Sequence, residues 1–325
     1  MKIETSFPKV SIIVVNWNGK NFLSDCLGSL KEQVYKNFEL IVVDNGSTDG
    51  SQDEIRELYP TAILVELDSN LGFDEGNIVG YLRSSGDYVV LLNNDTKAPP
   101  EWLENLVAFA DANTGFGIVG SIMLRWGSEI VDTAGDGCTL AGVGFKMHSG
   151  KKYSELPEFI DAFGACAGAA LYRRSMIEEI GFLDSAFFMN LEDVDISYRA
   201  RLAGYGVGIC KESFVFHHVS SSVKKVSYLG NFYASRNVEL VWWKNTPARY
   251  MPLSILEKMI HLTISTTASL LNREKLFSHI SGKISAAYMI LTGQVNRSKI
   301  QKLYRGNSIR FTTEISRIGA KAIRK

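Results

Sequence analysis

Residues 10–15 are apolar except for Ser11, and residues 40–43 are apolar throughout. Short, β-branched, nearly continuous runs of this kind predict parallel strands buried on both faces. Between them Phe22, Leu23, Cys26, Leu27 and Leu30 recur at helical spacing, so the unit reads strand–helix–strand, a βαβ crossover. Ile55 and Leu58 suggest a short second helix, residues 63–67 a third strand, and Ile78, Tyr81 and Leu82 a helix closed by Gly86. Tyr88–Leu92 reads as a fourth strand, and PPEW at 99–102 opens another helix with proline at its start. The pattern predicts an α/β chain whose first ~110 residues form a doubly wound, mostly parallel, Rossmann-like sheet.

After Gly115 the alternation weakens. Residues 135–150 carry five glycines and read as a loop or hairpin. Residues 162–172 are a small-residue segment leading to a helix at Arg174–Ile180. Residues 193–202 form an amphipathic helix ended by Gly204, and 214–216 an apolar strand running into His217 and His218. From Leu253 the pattern is helical, a C-terminal helical extension. Glu257, Lys258 and His261 interrupt any apolar span of membrane length there.

At 325 residues the chain is about twice the usual single-domain length, and 46% apolar residues suit a sizeable core. Its formal net charge is zero, with 35 Lys and Arg against 35 Asp and Glu. That balance hides an asymmetry. Residues 272–325 hold twelve Lys and Arg but two Glu, a net of +10, which leaves −10 on residues 1–271. A basic tail on an acidic body suggests an anionic partner such as a membrane face, or a tail that packs on the body or on a second copy; no nucleic-acid partner is expected. The four cysteines form no metal-binding spacing and read as buried thiols. The N-terminal apolar run is too short for a signal peptide or a membrane span, so the cytoplasm is the expected location, with the inner membrane face as its refinement.

Chemistry-bearing residues fall at predicted strand ends. Asn16 (VVNWNG), Asp44 (VVDNGSTDGS) and the triplet Asn93, Asn94, Asp95 (LLNNDT) each follow a strand. Ligands of open α/β sheets bind beyond the carboxyl ends of the strands. Asp and Asn are also ordinary turn formers, but three coincident strand ends favour a site. No GxxxxGK[ST] and no GxGxxG after a strand is present, which disfavours P-loop hydrolysis and dinucleotide binding. A divalent ion could bridge phosphates instead, with Asp95 and His217 or His218 as its ligands. NLEDVDISYR is the richest acidic cluster: Asp195 and Arg199 could form a surface ion pair, and acids at a helix start suit the macrodipole. One of its carboxylates could equally serve as a general base; spacing leaves that choice open.

VSIIVVNWNG, VVDNGSTDGS, SNLGFDEGN, LLNNDT, FFMNLEDVDISYR and FHHVSSS occur in an order that resembles family 2 glycosyltransferases of the GT-A fold. The resemblance extends over residues 10–245 and is nearest to the rhamnosyltransferase-like, galactofuranosyltransferase-related subgroup. It implies inverting transfer of a sugar, rhamnose or a similar one, from a nucleoside diphosphate to a hydroxyl of a glycan or polyprenyl-linked glycan during cell-surface polysaccharide assembly. It implies Mg²⁺ or Mn²⁺ held by Asp95 and His217, with His218 the alternative. Asp193 would be the catalytic base, with Glu192, Asp195 and Trp17 on the acceptor side. Asn16, Asp44, Asn70, Gly72, Asn77, Asn93, Asn94 and Arg236 would surround the donor, Arg236 near its diphosphate. The implied organisation is a nucleotide-sugar-binding half at 1–98, an acceptor-binding and catalytic half at 99–248, and a basic helical extension at 249–325. Asn93 stands where the triplet normally begins with an acid, and Asp74 where small residues are common. No QxxRW motif of processive synthases is present. The competing expectations are a non-catalytic glycan-binding protein of this fold and a sugar-phosphate nucleotidyltransferase.

Overall fold

The computed structural model describes residues 7–218 and 228–312. The first third alternates strand and helix: β1 (Val10–Asn16), α1 (Lys20–Lys31), β2 (Phe38–Asp44), α2 (Ser51–Leu58), β3 (Ile63–Glu66), α3 (Gly72–Arg83) and β4 (Tyr88–Leu92). Then come β5 (Thr96–Lys97), α4 (Trp102–Ala112), β6 (Phe116–Arg125), β7 (Val131–Thr133), β8 (Asp136–Cys138) and β9 (Gly144–Lys146). They are followed by β10 (Ala169–Arg173), α5 (Arg174–Ile180), α6 (Glu192–Leu202) and β11 (Gly206–His217). Four helices end the described chain: α7 (Tyr228–Asn245), α8 (Met251–Ser269), α9 (Arg273–Leu291) and α10 (Arg297–Gln301).

One sheet runs β3-β2-β1-β4-β10-β6-β11-β5, with β7 added on β6 and β8–β9 as a separate hairpin. The first four strands are parallel, as the buried β-branched runs of β1, β2 and β4 suggest, with the partly exposed β3 at the edge. β10 enters antiparallel between β4 and β6, while β11 returns parallel to β6. The halves expected at 1–98 and 99–248 therefore share one continuous sheet. Alternate residues of β1 divide between two cores: Val10, Ile12 and Val14 pack with α1 and α4, and Ile13 faces the opposite layer with α5 and α6. Gly80 lets α3 lie close on that second face, since a Cβ there would stand 2.5 Å from Ile13 Cγ2.

The weakened pattern after Gly115 conceals the two longest strands, β6 and β11. β6 is buried on both faces and interrupted by Gly117, Gly120 and Ser121, so it shows neither strand nor helix periodicity. β11 extends well before the expected 214–216, and a register shift between Cys210 and Phe214 breaks its alternation.

The C-terminal helices pack on the body through polar groups as well as apolar ones. Gly282 of α9 sits so close to α7 that a Cβ would lie 2.5 Å from the Phe232 carbonyl oxygen. The basic extension is largely answered by the body: Arg305 pairs with Glu179 at 2.5 Å, Arg310 with Asp161 at 2.8 Å, Lys283 with Glu239, and Arg297 donates to the carbonyls of Trp243 and Thr246. Its cations beyond residue 312 lie outside the described residues. All four cysteines are free thiols; Cys26, Cys138 and Cys210 are buried, and Cys166 is partly so. Among the described residues no helix is long and apolar enough to cross a membrane.

Candidate active site

Register brings the nucleotide-side residues together. Asn16 and Asp44 are direct neighbours at the ends of β1 and β2. Asn16 Nδ2 donates to Asp44 Oδ2 at 3.0 Å, and Asn94 Nδ2 donates to Asn16 Oδ1 at 2.8 Å. The other Asp44 oxygen accepts from Ser47 N and Gln52 Nε2, both at 2.9 Å. A carboxylate offers about four acceptor sites, so roughly one is left for a further donor. Trp17 continues from β1 on this side, with about half its surface exposed.

SNLGFDEGN builds the start of α3. Asn45 donates to the Gly72 carbonyl at 2.9 Å and accepts from Leu71 N, and Asn70 Oδ1 accepts from Gly72 N. Asn77 is buried and spends its amide on the Phe73 carbonyl one turn back. Asn70, Gly72 and Asn77 thus shape the turn. Gly72 has φ +92°, and a Cβ there would meet the Phe188 carbonyl oxygen at 2.5 Å, so glycine is required on both counts. Phe73 N donates to that same carbonyl at 2.7 Å, which ties α3 to the loop before α6.

That loop is strained: Phe188, Asn190 and Leu191 all have positive φ. Such conformations persist only where the surroundings over-determine them. Here α7 holds them. Asn237 Nδ2 donates to the carbonyls of Phe187, Met189 and Asn190 at 2.8–3.0 Å, and Arg236 donates to those of Ala186 and Phe187. Arg236, expected near the diphosphate, thus turns Nη2 to the loop carbonyls and Nε to Asn237 Oδ1, and lies over the Tyr233 ring.

The loop delivers α6 with Glu192 and Asp193 in its first turn. Asp193 Oδ1 accepts from Val194 N at 2.8 Å. Ligand atoms of Asp193, Asp136 and Cys166 lie within 4.8 Å of one another. Burial raises the Asp193 carboxyl above its ordinary range, although hydrogen bonds from Val194 and Ala167 and the charge of Lys146 pull it back. Asp136, Glu192 and Asp74 are pushed up further, by burial first and then by neighbouring carboxylates. Asp74 is fully buried with both carboxylate oxygens unpartnered, as are one oxygen of Asp136 and one of Glu192. The partly buried Cys166 thiol, its pKa pushed well up chiefly by desolvation, stands beside these acids as a neutral group.

Asp195 is not in that group. It is buried, with Arg199 Nε at 2.8 Å, Lys244 Nζ at 3.0 Å and Asn245 Nδ2 at 2.8 Å around its carboxylate. Burial works against its charge, but Lys244 and Arg199 prevail and hold it down at about 2. Its expected acceptor contact and its expected surface ion pair are both replaced by an internal lock between α6 and α7. Spacing along α6 turns Asp195 inward while Asp193 stays partly open.

At the end of β11 His217 Nε2 faces Asp95 Oδ1 at 3.4 Å, and His217 Nδ1 lies 3.1 Å from Asp132 Oδ2. Lys146 Nζ donates to the same Asp132 oxygen at 2.6 Å. Burial disfavours the imidazolium, but Asp132 and Asp95 outweigh it and raise His217 to about 9. His218 stacks on Trp126 at 3.5 Å between ring centroids, which leaves His217 as the histidine facing Asp95. A carboxylate on Nδ1 that leaves Nε2 for an ion is the usual support of a metal-bound histidine, so these residues fit a divalent cation. Asn93 adds no acid: its carbonyl accepts from Thr96 Oγ1 at 2.7 Å. The VSSS part of the FHHVSSS motif lies outside the described residues.

Asp132, Asp136 and Lys146 were not legible as site residues. For Asp136 the signal was present, an acid between Gly135 and Gly137 in the glycine-rich segment. Lys146 matters because it links both centres: it contacts Asp132 and lowers Asp193.

Residues 11–181 match the family described as glycosyl transferase family 2. The chain belongs to that family. Among curated relatives, an uncharacterized glycosyltransferase of Haemophilus influenzae is 31% identical over 36% of this chain and 37% of its own length. Putative glycosyltransferase EpsH of Bacillus subtilis is 27% identical over 67% of this chain and 63% of its own. This family member thus spans less than two thirds of both. The N-acetylglucosaminyl-diphospho-decaprenol L-rhamnosyltransferase of Mycobacterium tuberculosis is 24% identical over 82% of this chain and 96% of its own length. Solved structures share the fold. S. aureus TarS 1-349 in complex with UDP-GlcNAc has a TM-score of 0.59 at 18% identity, covering 94% of each chain. The mannosyltransferase PcManGT of Pyrobaculum calidifontis, with GDP-Man and Mn²⁺, has a TM-score of 0.56 at 17% identity, covering 92% of this chain and 84% of its own. The chain has the GT-A fold, with its curled, mostly parallel sheet and C-terminal helices.

Proposed function

We propose that this family 2 glycosyltransferase inverts configuration at the transferred sugar, taking it from a nucleoside diphosphate and passing it to a glycan or polyprenyl-linked glycan hydroxyl. The observation that carries this is a pair of centres joined through Lys146: a partly open Asp193 with a raised pKa, and a carboxylate–histidine pair at Asp95 and His217, whose other nitrogen meets the Asp132 that Lys146 also contacts. A direct displacement needs a base on one side of the sugar and charge stabilisation for the leaving diphosphate on the other. Asp193 accepts the acceptor hydroxyl's proton as that oxygen attacks. Glu192 and Asp136, beside it, orient acceptor hydroxyls. Asp95 and His217 would hold Mg²⁺ or Mn²⁺, which when bound neutralises charge on the departing diphosphate. Asp44, Asn16 and Asn94 receive the nucleoside, and Trp17 offers an exposed ring beside it.

A rhamnose-like sugar and a lipid-linked acceptor draw support from the name of the mycobacterial relative, which covers most of both chains. The test is nucleoside-diphosphate release by the full chain over a panel of nucleotide-sugars, with and without Mg²⁺ or Mn²⁺ after chelation. Acceptor-dependent release with one donor class supports the reading. Pyrophosphate release would move the protein to nucleotidyltransfer, and no release with any donor and acceptor would leave a binding protein.

A further inference from the structure

We infer that the outer face of the α8–α9 hairpin docks on an anionic lipid bilayer. Ordinary surface helices bury apolar residues and expose polar ones. Here the inward face holds Ser254, Glu257 and Lys258 of α8 and Ser278 and His279 of α9, with Gly282 and Ala286 further along α9. Lys258 pairs with Glu239 at 2.9 Å, and His279 lies between Ser235 and Thr266 at 3.0 and 3.2 Å. The outward face is apolar. Phe277, Ile280, Ile284, Tyr288 and Leu291 follow one stripe of α9, all exposed, and Leu253, Leu256 and Met259 are exposed on the neighbouring α8. At the turn between the helices Leu271 is 92% exposed. So many large exposed apolar side chains on two adjacent helices mark an interaction site.

Charge selects lipid as the occupant. Arg273 and Lys275 flank the exposed turn, and Lys299 and Lys302 are exposed on the segment that follows α9. Between residues 251 and 312 the acids are Glu257, which is buried, and Glu274. Exposed leucines and aromatics beside lysine and arginine match the acyl boundary and the phosphate layer of an anionic bilayer respectively. Neither helix is long and apolar enough to cross the bilayer, so the hairpin lies in its surface. The membrane contact expected of the basic extension as a whole thus falls on the apolar hairpin, because several of the extension's cations are taken up by the body.

The test is co-sedimentation of the full chain with vesicles of phosphatidylcholine alone and with vesicles that also contain about 30% phosphatidylglycerol. The single variants M259D and I284D place charge on exposed positions, where folding is undemanding; circular dichroism melts check that they match the parent. Expected is sedimentation with the anionic vesicles that falls at least about tenfold in either variant and falls with added salt. Equal binding by the parent and both variants would overturn the proposal, as would a parent that stays in the supernatant with every vesicle. A parent dimer that both variants dissociate, without vesicle binding, would assign the face to a second copy instead and equally overturn it.

Discussion

Asp195→Asn tests whether the acid two residues after the proposed base touches an acceptor or holds the helix. Asp195 is enclosed by Arg199, Lys244 and Asn245 at 2.8–3.0 Å with no route to solvent. Removing one member of a buried ion pair costs about 3–5 kcal/mol, because the remaining charges stay buried without compensation. Unfolding entropy of about 2.1 cal/mol/K per residue gives roughly 0.7 kcal/mol per degree for 325 residues, so the melting temperature should fall by about 4–7 °C. The pH dependence gives a second reading. A folded-state value of about 2 lies about two units below an ordinary aspartate, worth roughly 2–3 kcal/mol. A depressed value means that this stabilisation is present above pH ~4 and is lost as pH falls toward ~2. The gap between parent and variant in circular dichroism melts should therefore be full at neutral pH and narrow below pH ~4. Acceptor KM, measured where both proteins are folded, should change by less than about twofold. An unchanged melt with acceptor KM raised tenfold or more would refute the lock and return Asp195 to the acceptor.

Asp193→Asn should lower kcat by about 10²–10⁴ with donor KM nearly unchanged, read by nucleoside-diphosphate release; a variant within threefold of the parent would remove Asp193 as base. Because Asp193 is raised above its ordinary range, kcat/KM should fall on the acid side through a pKa above ~4. Lys146→Met removes a cation that lowers Asp193, so this limb should move to higher pH, and a downward move would contradict the proposed contact. Asp132→Asn frees the Nδ1 side of His217 and should raise the Mg²⁺ or Mn²⁺ concentration for half-maximal activity by about 10–100-fold. An unchanged metal titration would take Asp132 out of the support of that histidine.

The strands and helices of the first third were legible because each is a short apolar run or an amphipathic turn, and Tyr88–Leu92 and Arg174–Ile180 keep their expected bounds. β6 and β11 were not, because burial on both faces together with glycine, serine and a register shift erases periodicity. Within the site, strand ends announced Asn16, Asp44 and Asp95. Motif order named Asp193 and His217 but could not tell which neighbours share their crevice. Asp195 follows Asp193 by two residues, yet helical geometry turns it to the opposite side. Arg236 carries a charge suited to phosphate, but three-dimensional packing gives it to backbone carbonyls. Asp132 and Lys146 come from a hairpin region whose pairing is invisible locally, and only the fold brings them to His217.

The tight seat of Gly282 on α7 has a consequence for how substitutions would be interpreted. Any side chain at 282 must push against Phe232, Ser235 and Arg236, and Arg236 with Asn237 fastens the strained loop that delivers Asp193. A mutation on a peripheral helix, touching no substrate, would register as a loss of turnover. In a random screen, position 282 would score alongside the proposed base although it lies on a different helix.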